Sequence, residues 1–187
     1  MFCLDIETLS TSSSTVILSA GLVYFDQTQT YTFEELIESA CFVKFDAKEQ
    51  SEKYKRKVEK STLEWWKQQS KDVQKISLFP SASDMTAEKG IKTLKEYIRD
   101  HSKEKTEICW IRGTIDQMAI DDLCKDLDVP FLFPYYAYRD IRTALDLLKE
   151  TTKKGYCKIP NFDYSKVKKH CPIQDICLDV MMLLYGE

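Results

Sequence analysis

A chain of 187 residues with 43% hydrophobic content is sized for one compact domain with a sizeable core, which leaves no room for a second of ordinary size. Its formal charge of −3 argues against a general electrostatic coating of nucleic acid, though not against a local cationic groove beside an acidic site. Seven scattered cysteines without a CxxC pair or zinc-type spacing fit free thiols in a reducing compartment; with no leader-like N-terminal pattern and no apolar run near the roughly 20 residues that span a bilayer, a cytoplasmic protein is expected.

Phe2 to Ile6 and Thr15 to Phe25 are rich in β-branched and aromatic residues and predict two strands, joined through a turn over the serine-threonine stretch Ser10 to Thr15. A third strand is expected within Leu36 to Phe45, followed by a charged, exposed helix or loop over Asp46 to Lys60. Ser61 and Glu64 have the spacing of a capping box, which places a helix over Thr62 to Gln69 carrying Trp65 and Trp66. Ile91, Leu94 and Ile98 recur at helical spacing, and Glu107 to Ile111 is a short apolar run bounded by Gly113, as expected of a buried strand.

After Asp116, the positions Ile120, Leu123, Cys124 and Leu127 give one apolar helical face. A strand near Phe131 to Ala137 then leads into a helix with Ile141, Leu145 and Leu148. A last helix holds Ile173, Ile176, Cys177, Val180, Met181 and Leu184, with Pro172 tolerated in its first turn. A hairpin followed by alternating strands and helices predicts an α/β fold, a mixed sheet flanked by helices. No internal repeat or domain boundary is visible, so residues 1–187 are read as one domain.

The carboxylates carry the chemistry. Asp5 and Glu7 are two residues apart on a predicted strand, so both face one side while Leu4 and Ile6 face the other. Adjacent negative charges of this kind need a cation. Hard divalent ions take oxygen ligands, and two of them about 4 Å apart stabilise the attacking and leaving oxygens of a phosphodiester displacement. Asp116, at the exit of a predicted strand, is either a further ligand or a plain helix cap. Asp175 and Asp179 form an acidic stripe on an otherwise apolar helix, and burying unpaired carboxylates there is costly. His170, five residues before Asp175, is placed to act as a general base near neutral pH; Asp179 is read as structural.

The ordered set Asp5-Ile6-Glu7, Asp116 and His170-x4-Asp175 resembles the three motifs of the DEDDh (DnaQ-like) exonuclease superfamily. Ser61 to Ser70, Trp110-Ile-Arg-Gly113, Arg139 to Thr143 and His170 to Tyr185 look more specifically like the exonuclease A family of T-even bacteriophages and bacterial relatives. One departure is that Gly113 to Asp116 is a residue shorter than the phage pattern, with Ile115 where an aromatic residue usually stands.

The resemblance implies a ribonuclease-H-like fold, two Mg²⁺ or Mn²⁺ ions and release of nucleoside 5′-monophosphates from a 3′ end. Single-stranded DNA is the expected substrate, RNA 3′ ends the alternative, and a silent nucleic-acid-binding module a third reading. Carried over, Asp5 bridges both ions, Glu7 and Asp175 complete one metal site, Asp116 serves the other, and His170 activates water. Thr8 and Leu9 lie against the terminal nucleotide, and Trp66, Arg112, Gly113, Arg139 and Arg142 complete the candidate substrate-binding set. The tryptophans either stack a base or pack inward. Arg139 and Arg142 either bind phosphate or pair with Asp140 and Asp146. Lys153, Lys154, Lys158, Lys166, Lys168 and Lys169 either line the strand path or are ordinary solvated charges. No membrane partner is expected, the oligomeric state is open, and a phage-encoded protein would act in the host cytoplasm.

Overall fold

A computed structural model describes residues 1–103, 107–149 and 155–187. Strands β1 (Phe2–Thr8), β2 (Ile17–Tyr24), β3 (Cys41–Lys44), β4 (Cys109–Ile111) and β5 (Tyr138–Asp140) form one sheet in the order β3-β2-β1-β4-β5. β2 runs antiparallel to both β1 and β3, whereas β4 and β5 follow β1 in parallel. The expected ribonuclease-H-like α/β architecture, a mixed sheet flanked by helices, is therefore present.

β1 lies at the centre and alternates between two buried layers. Phe2, Leu4 and Ile6 enter a core built with α5 (Ala87–His101) and α6 (Ile115–Asp126), where each buried side chain of this size contributes roughly 2 kcal/mol. Cys3 faces the other layer, formed by α1 (Phe33–Ser39), α7 (Ile141–Leu148) and α8 (Pro172–Tyr185). A third apolar cluster gathers Leu9, Val16, Leu18, Trp66 and Val73. It lies beneath α3 (Lys60–Gln68) and the short α4 (Lys71–Val73), which continues as a π-helical turn over Gln74–Leu78. No helix among the described residues is long and apolar enough to cross a membrane, and all seven cysteines are free thiols.

Several local expectations are corrected. α3 begins at Lys60 behind Glu59, with no side-chain cap; Ser61 lies inside it, because the entry is set by the Glu59 N–H donating to the Leu9 carbonyl at 2.8 Å and by burial of Trp66. Where a strand is expected over Phe131 to Ala137, irregular chain drops Leu132 and Phe133 into the core and a 3-10 turn follows over Tyr135–Ala137, so pairing starts only at Tyr138. α2 (Ala47–Lys53) occupies the charged stretch expected to be exposed, yet Arg56 beyond it is buried. Its guanidinium pairs with Asp126 at 2.5 Å and donates to the Thr15, Ser13 and Ala119 carbonyls. α1 was not foreseen, although Thr32 and Glu35 form a reciprocal capping box at its start.

The approach of α8 to the sheet is set by one glycine. Gly21 pairs with Asp5 across the β1–β2 ladder, and a Cβ at Gly21 would lie 2.7 Å from the Pro172 carbonyl carbon and 2.9 Å from the Ile173 nitrogen. Both are backbone atoms, so α8 itself would have to move. Gly21→Ala is expected to cost about 1–3 kcal/mol by overpacking and to lower activity together with melting temperature; thermal unfolding and nuclease assay on the same preparation check this, and an unshifted melt would show that α8 has slack there.

Candidate active site

Three chain-distant elements deliver carboxylates to the same end of the sheet. On β1, Asp5 and Glu7 follow Cys3 toward α8, the alternation read from their spacing. α8 starts with Pro172 at its first helical positions and carries Asp175 in its first turn. Oxygens of Asp5, Glu7 and Asp175 all lie within 4.8 Å of one another. Beyond β4, Gly113 takes a left-handed backbone (φ 93) that suits glycine, with its N–H donated to Asp140 Oδ2 at 2.8 Å. This turn brings the chain into α6, where Asp116, only 3% exposed, sits in the first turn. All four carboxylates line one cleft of about 400 Å³.

Burial and mutual repulsion dominate the electrostatics. Asp5 is held well above the usual carboxylate range, first by burial and then by Asp116, Glu7 and Asp175. Asp116 is pushed up to about 8 by burial and by Glu7 and Asp179, partly offset by backbone hydrogen bonds at Arg112 and Ile6. Burial and Glu7 raise Asp175 to about 7, while His170 acts in the opposite direction. Asp179 is also raised by burial, but Arg112 pairs with it. That guanidinium donates as well to the Gly155 carbonyl at 2.8 Å and lies 4.4 Å from the Tyr156 ring centre.

His170 adopts a left-handed backbone (φ 63), at a cost of roughly 1–2 kcal/mol. Its Nδ1 is 3.7 Å from Glu7 Oε1, an ion-pair distance longer than a hydrogen bond. The Glu7 carboxylate beside it holds the imidazole pKa above its ordinary value, against the effect of burial. The Trp65 ring stands edge-on to the imidazole, with centroids 4.7 Å apart and planes at 89°.

The remaining expected residues divide. Thr8 lines a second cleft, shared with Glu7, Thr62 and Trp65, and Arg142, Arg112 and Lys169 line the acidic one. Leu9 and Trp66, expected against the nucleotide, pack in the third apolar cluster; Trp66 also borders the cleft that holds Thr8, and its indole N–H donates to the Thr8 carbonyl at 2.9 Å. Arg112 is committed to Asp179 rather than turned to a substrate. Arg139 donates to the Tyr136 and Tyr138 carbonyls and does not line the acidic cleft. Asp140 caps α7, and Asp146 accepts from the Gly155 N–H. Lys166 and Lys168 pair with Glu34 and Asp72, Lys158 is exposed, and Lys153 and Lys154 lie outside the described residues. Tyr156, not among the expected residues, also lines the acidic cleft; helical spacing shows that Trp65 and Trp66 face different ways, but not which of them is buried, and it is Trp66.

The donor set suits a hard divalent cation. Its oxygens are all carboxylate, those of Asp5, Glu7 and Asp175 converge within ligand-sharing distance, and a bound cation would relieve their mutual repulsion.

The chain is similar to known proteins over nearly its whole length. A family model described as the 3′-5′ exoribonuclease Rv2179c-like domain matches residues 1–177. The exodeoxyribonuclease of Enterobacteria phage T4 is 30% identical over 202 residues, covering 99% of this chain and 88% of that relative.

The raised carboxyl values make a prediction about the metal-free protein. Folded Asp116 keeps a proton that an unfolded aspartate, with a pKa of about 3.9, has already released. The stabilisation is therefore full at low pH and is lost as pH rises toward about 8. Wild type in EDTA is expected to lose melting temperature relative to Asp116→Asn, which does not ionise, as pH rises from about 4 to about 8. A pH-independent difference between the two melts would refute the raised Asp116 value that burial and the neighbouring carboxylates produce.

Proposed function

This chain belongs to the Rv2179c-like 3′-5′ exoribonuclease domain family and is a 3′-5′ exonuclease; on that premise we propose that residues 1–187 form one exonuclease domain of the DEDDh type. It hydrolyses single-stranded DNA from the 3′ end and releases nucleoside 5′-monophosphates. The observation that carries this reading is the convergence of Asp5, Glu7 and Asp175 oxygens within 4.8 Å of one another, beside His170 and in one cleft with Asp116.

In this reading Asp5, Glu7 and Asp175 would hold one divalent ion, Mg²⁺ or Mn²⁺, and Asp116, with Asp5, would hold a second. When bound, the ions supply Lewis acidity and charge neutralisation at the scissile phosphodiester. His170 acts as the general base. With Nδ1 turned to Glu7, Nε2 is the nitrogen that takes a proton from the attacking water. The water oxygen bonds to phosphorus, the bond to the 3′ oxygen of the preceding nucleotide breaks, and that oxygen takes a proton from solvent to leave as the new 3′ hydroxyl, while His170 returns its proton to solvent.

Arg142 and Lys169, both exposed and lining the acidic cleft, hold phosphate oxygens, a role guanidinium performs through paired hydrogen bonds. Thr8 borders the nucleotide from the adjoining cleft. Arg112 supports the site from behind through Asp179.

The choice of DNA rests on the relative whose similarity covers 99% of the chain. RNA is the second reading, favoured by the description of the family model, and the hydrolysis itself requires no 2′ hydroxyl.

Matched DNA and RNA oligonucleotides, labelled at the 5′ end, test both parts. A ladder shortening from the 3′ end is expected, faster on DNA, abolished by EDTA and restored by Mg²⁺ or Mn²⁺. Asp5→Asn should reduce turnover to background with the fold retained, and His170→Ala should lower kcat about 10²- to 10⁴-fold. Undiminished hydrolysis by Asp5→Asn would end the proposal, and faster cleavage of RNA would reassign the substrate.

A further inference from the structure

Nothing described so far explains what keeps His170 aimed at the acidic cleft. Its side chain is 40% exposed, and its Glu7 contact, at 3.7 Å, is too long to direct the ring as a hydrogen bond would. An imidazole so lightly held samples several rotamers. Its second described neighbour is Trp65, whose edge-on ring is centred 4.7 Å away.

Trp65 is itself firmly placed. The next residue, Trp66, is fully buried and donates its indole N–H to the carbonyl of Thr8, the residue after Glu7. Trp65 packs edge-on against that buried ring, with centroids 5.2 Å apart and planes at 80°. One face of α3 is thus anchored at the end of β1, and the neighbouring aromatic ring meets His170 edge-on. Edge-to-face contacts at these distances are attractive and directional.

We propose that Trp65 is a positioning residue for His170: its ring walls the imidazole on the α3 side and confines it between Trp65 and Glu7, over the acidic cleft. The proposal rests on His170 serving as the base in the reaction above. Trp65 is 38% exposed and borders the cleft that holds Thr8, so a base-stacking platform is the competing role, and the two differ in which kinetic constant they govern. A positioning residue affects kcat, whereas a stacking platform affects KM.

The test is a kinetic cycle on the Mg²⁺- or Mn²⁺-loaded enzyme with a 5′-labelled DNA oligonucleotide, comparing wild type, Trp65→Ala, Trp65→Phe, His170→Ala and the Trp65→Ala/His170→Ala double variant. Trp65→Ala is expected to lower kcat about ten- to a hundredfold with KM little changed. Trp65→Phe, which keeps an aromatic edge, should recover most of the loss, and Trp65→Ala should cost nothing further once His170 is gone. Wild-type kcat in Trp65→Ala, a raised KM with kcat unchanged, or an equal loss in both backgrounds would each overturn the proposal while leaving His170 as the base. Wild-type turnover in His170→Ala would instead remove the base assignment on which it rests. The chain has two histidines, so a nuclear Overhauser contact between the His170 ring and the Trp65 indole can be read in the unsubstituted protein; its absence would also overturn the proposal.

Discussion

Repulsion among carboxylates in a partly dry cleft is the constraint to which the rest of this structure answers. Two like charges about 4 Å apart cost about 4 kcal/mol at the effective dielectric of a protein surface, and here three side chains bring oxygens within 4.8 Å of one another, with Asp116 close enough to raise Asp5 further. Apolar burial supplies the opposing force. β1 is covered on both faces, and α8 is driven onto the sheet by Ile176, Cys177, Val180 and Met182, until its backbone meets Gly21. A fifth carboxylate, Asp179, is tolerated one turn along α8 because Arg112 neutralises it. Removing one partner of such a buried pair leaves an uncompensated charge and costs about 3–5 kcal/mol. Arg112 thereby keeps Asp179 from adding an uncompensated charge to the cluster.

Net charge conceals how this charge is distributed. The floor of the cleft is anionic, while Arg142 and Lys169 stand at its lining. A divalent cation held among these carboxylates would turn a surface that repels a phosphodiester into one that attracts it, with Arg142 and Lys169 adding to that attraction. An acidic chain is therefore compatible with a nucleic-acid substrate.

The parts of the site legible in the sequence were those whose geometry is local. Two residues on a strand share a face whatever surrounds them, which placed Asp5 with Glu7; helical spacing placed Asp175 among apolar neighbours and marked Asp179 as needing a partner. The parts that were not legible depend on contacts across the chain. Arg56 lies in a stretch dense with charge and looks solvated, and its partners Asp122 and Asp126 are on a helix more than sixty residues away. The Ser61 and Glu64 pattern matched a cap, but tertiary packing set where α3 begins. Burial of Trp66 rather than Trp65 depends on which side of α3 meets the third apolar cluster, and a helix nine residues long does not reveal its inner face through two adjacent aromatics.

That third cluster has its origin in a single irregularity of the central ladder. Glu7 pairs with Ser19 but Thr8 pairs with Ile17, so Leu18 has no opposite number on β1, and the register slips at the last acidic position of the strand. Bulges of this kind bend a strand and redirect side chains. Here Leu18 enters the cluster with Leu9, Val16 and Trp66, and the apolar pocket so formed receives α3. The Trp66 bond to the Thr8 carbonyl then fixes α3 at the residue after Glu7. A one-residue slip thus sets where the acidic strand ends, where α3 docks, and where Trp65 meets His170. Restoring a regular ladder would return Leu18 to the alternation of β2 and leave α3 without its seat, so the aromatic ring beside the imidazole is placed by one local feature of the sheet.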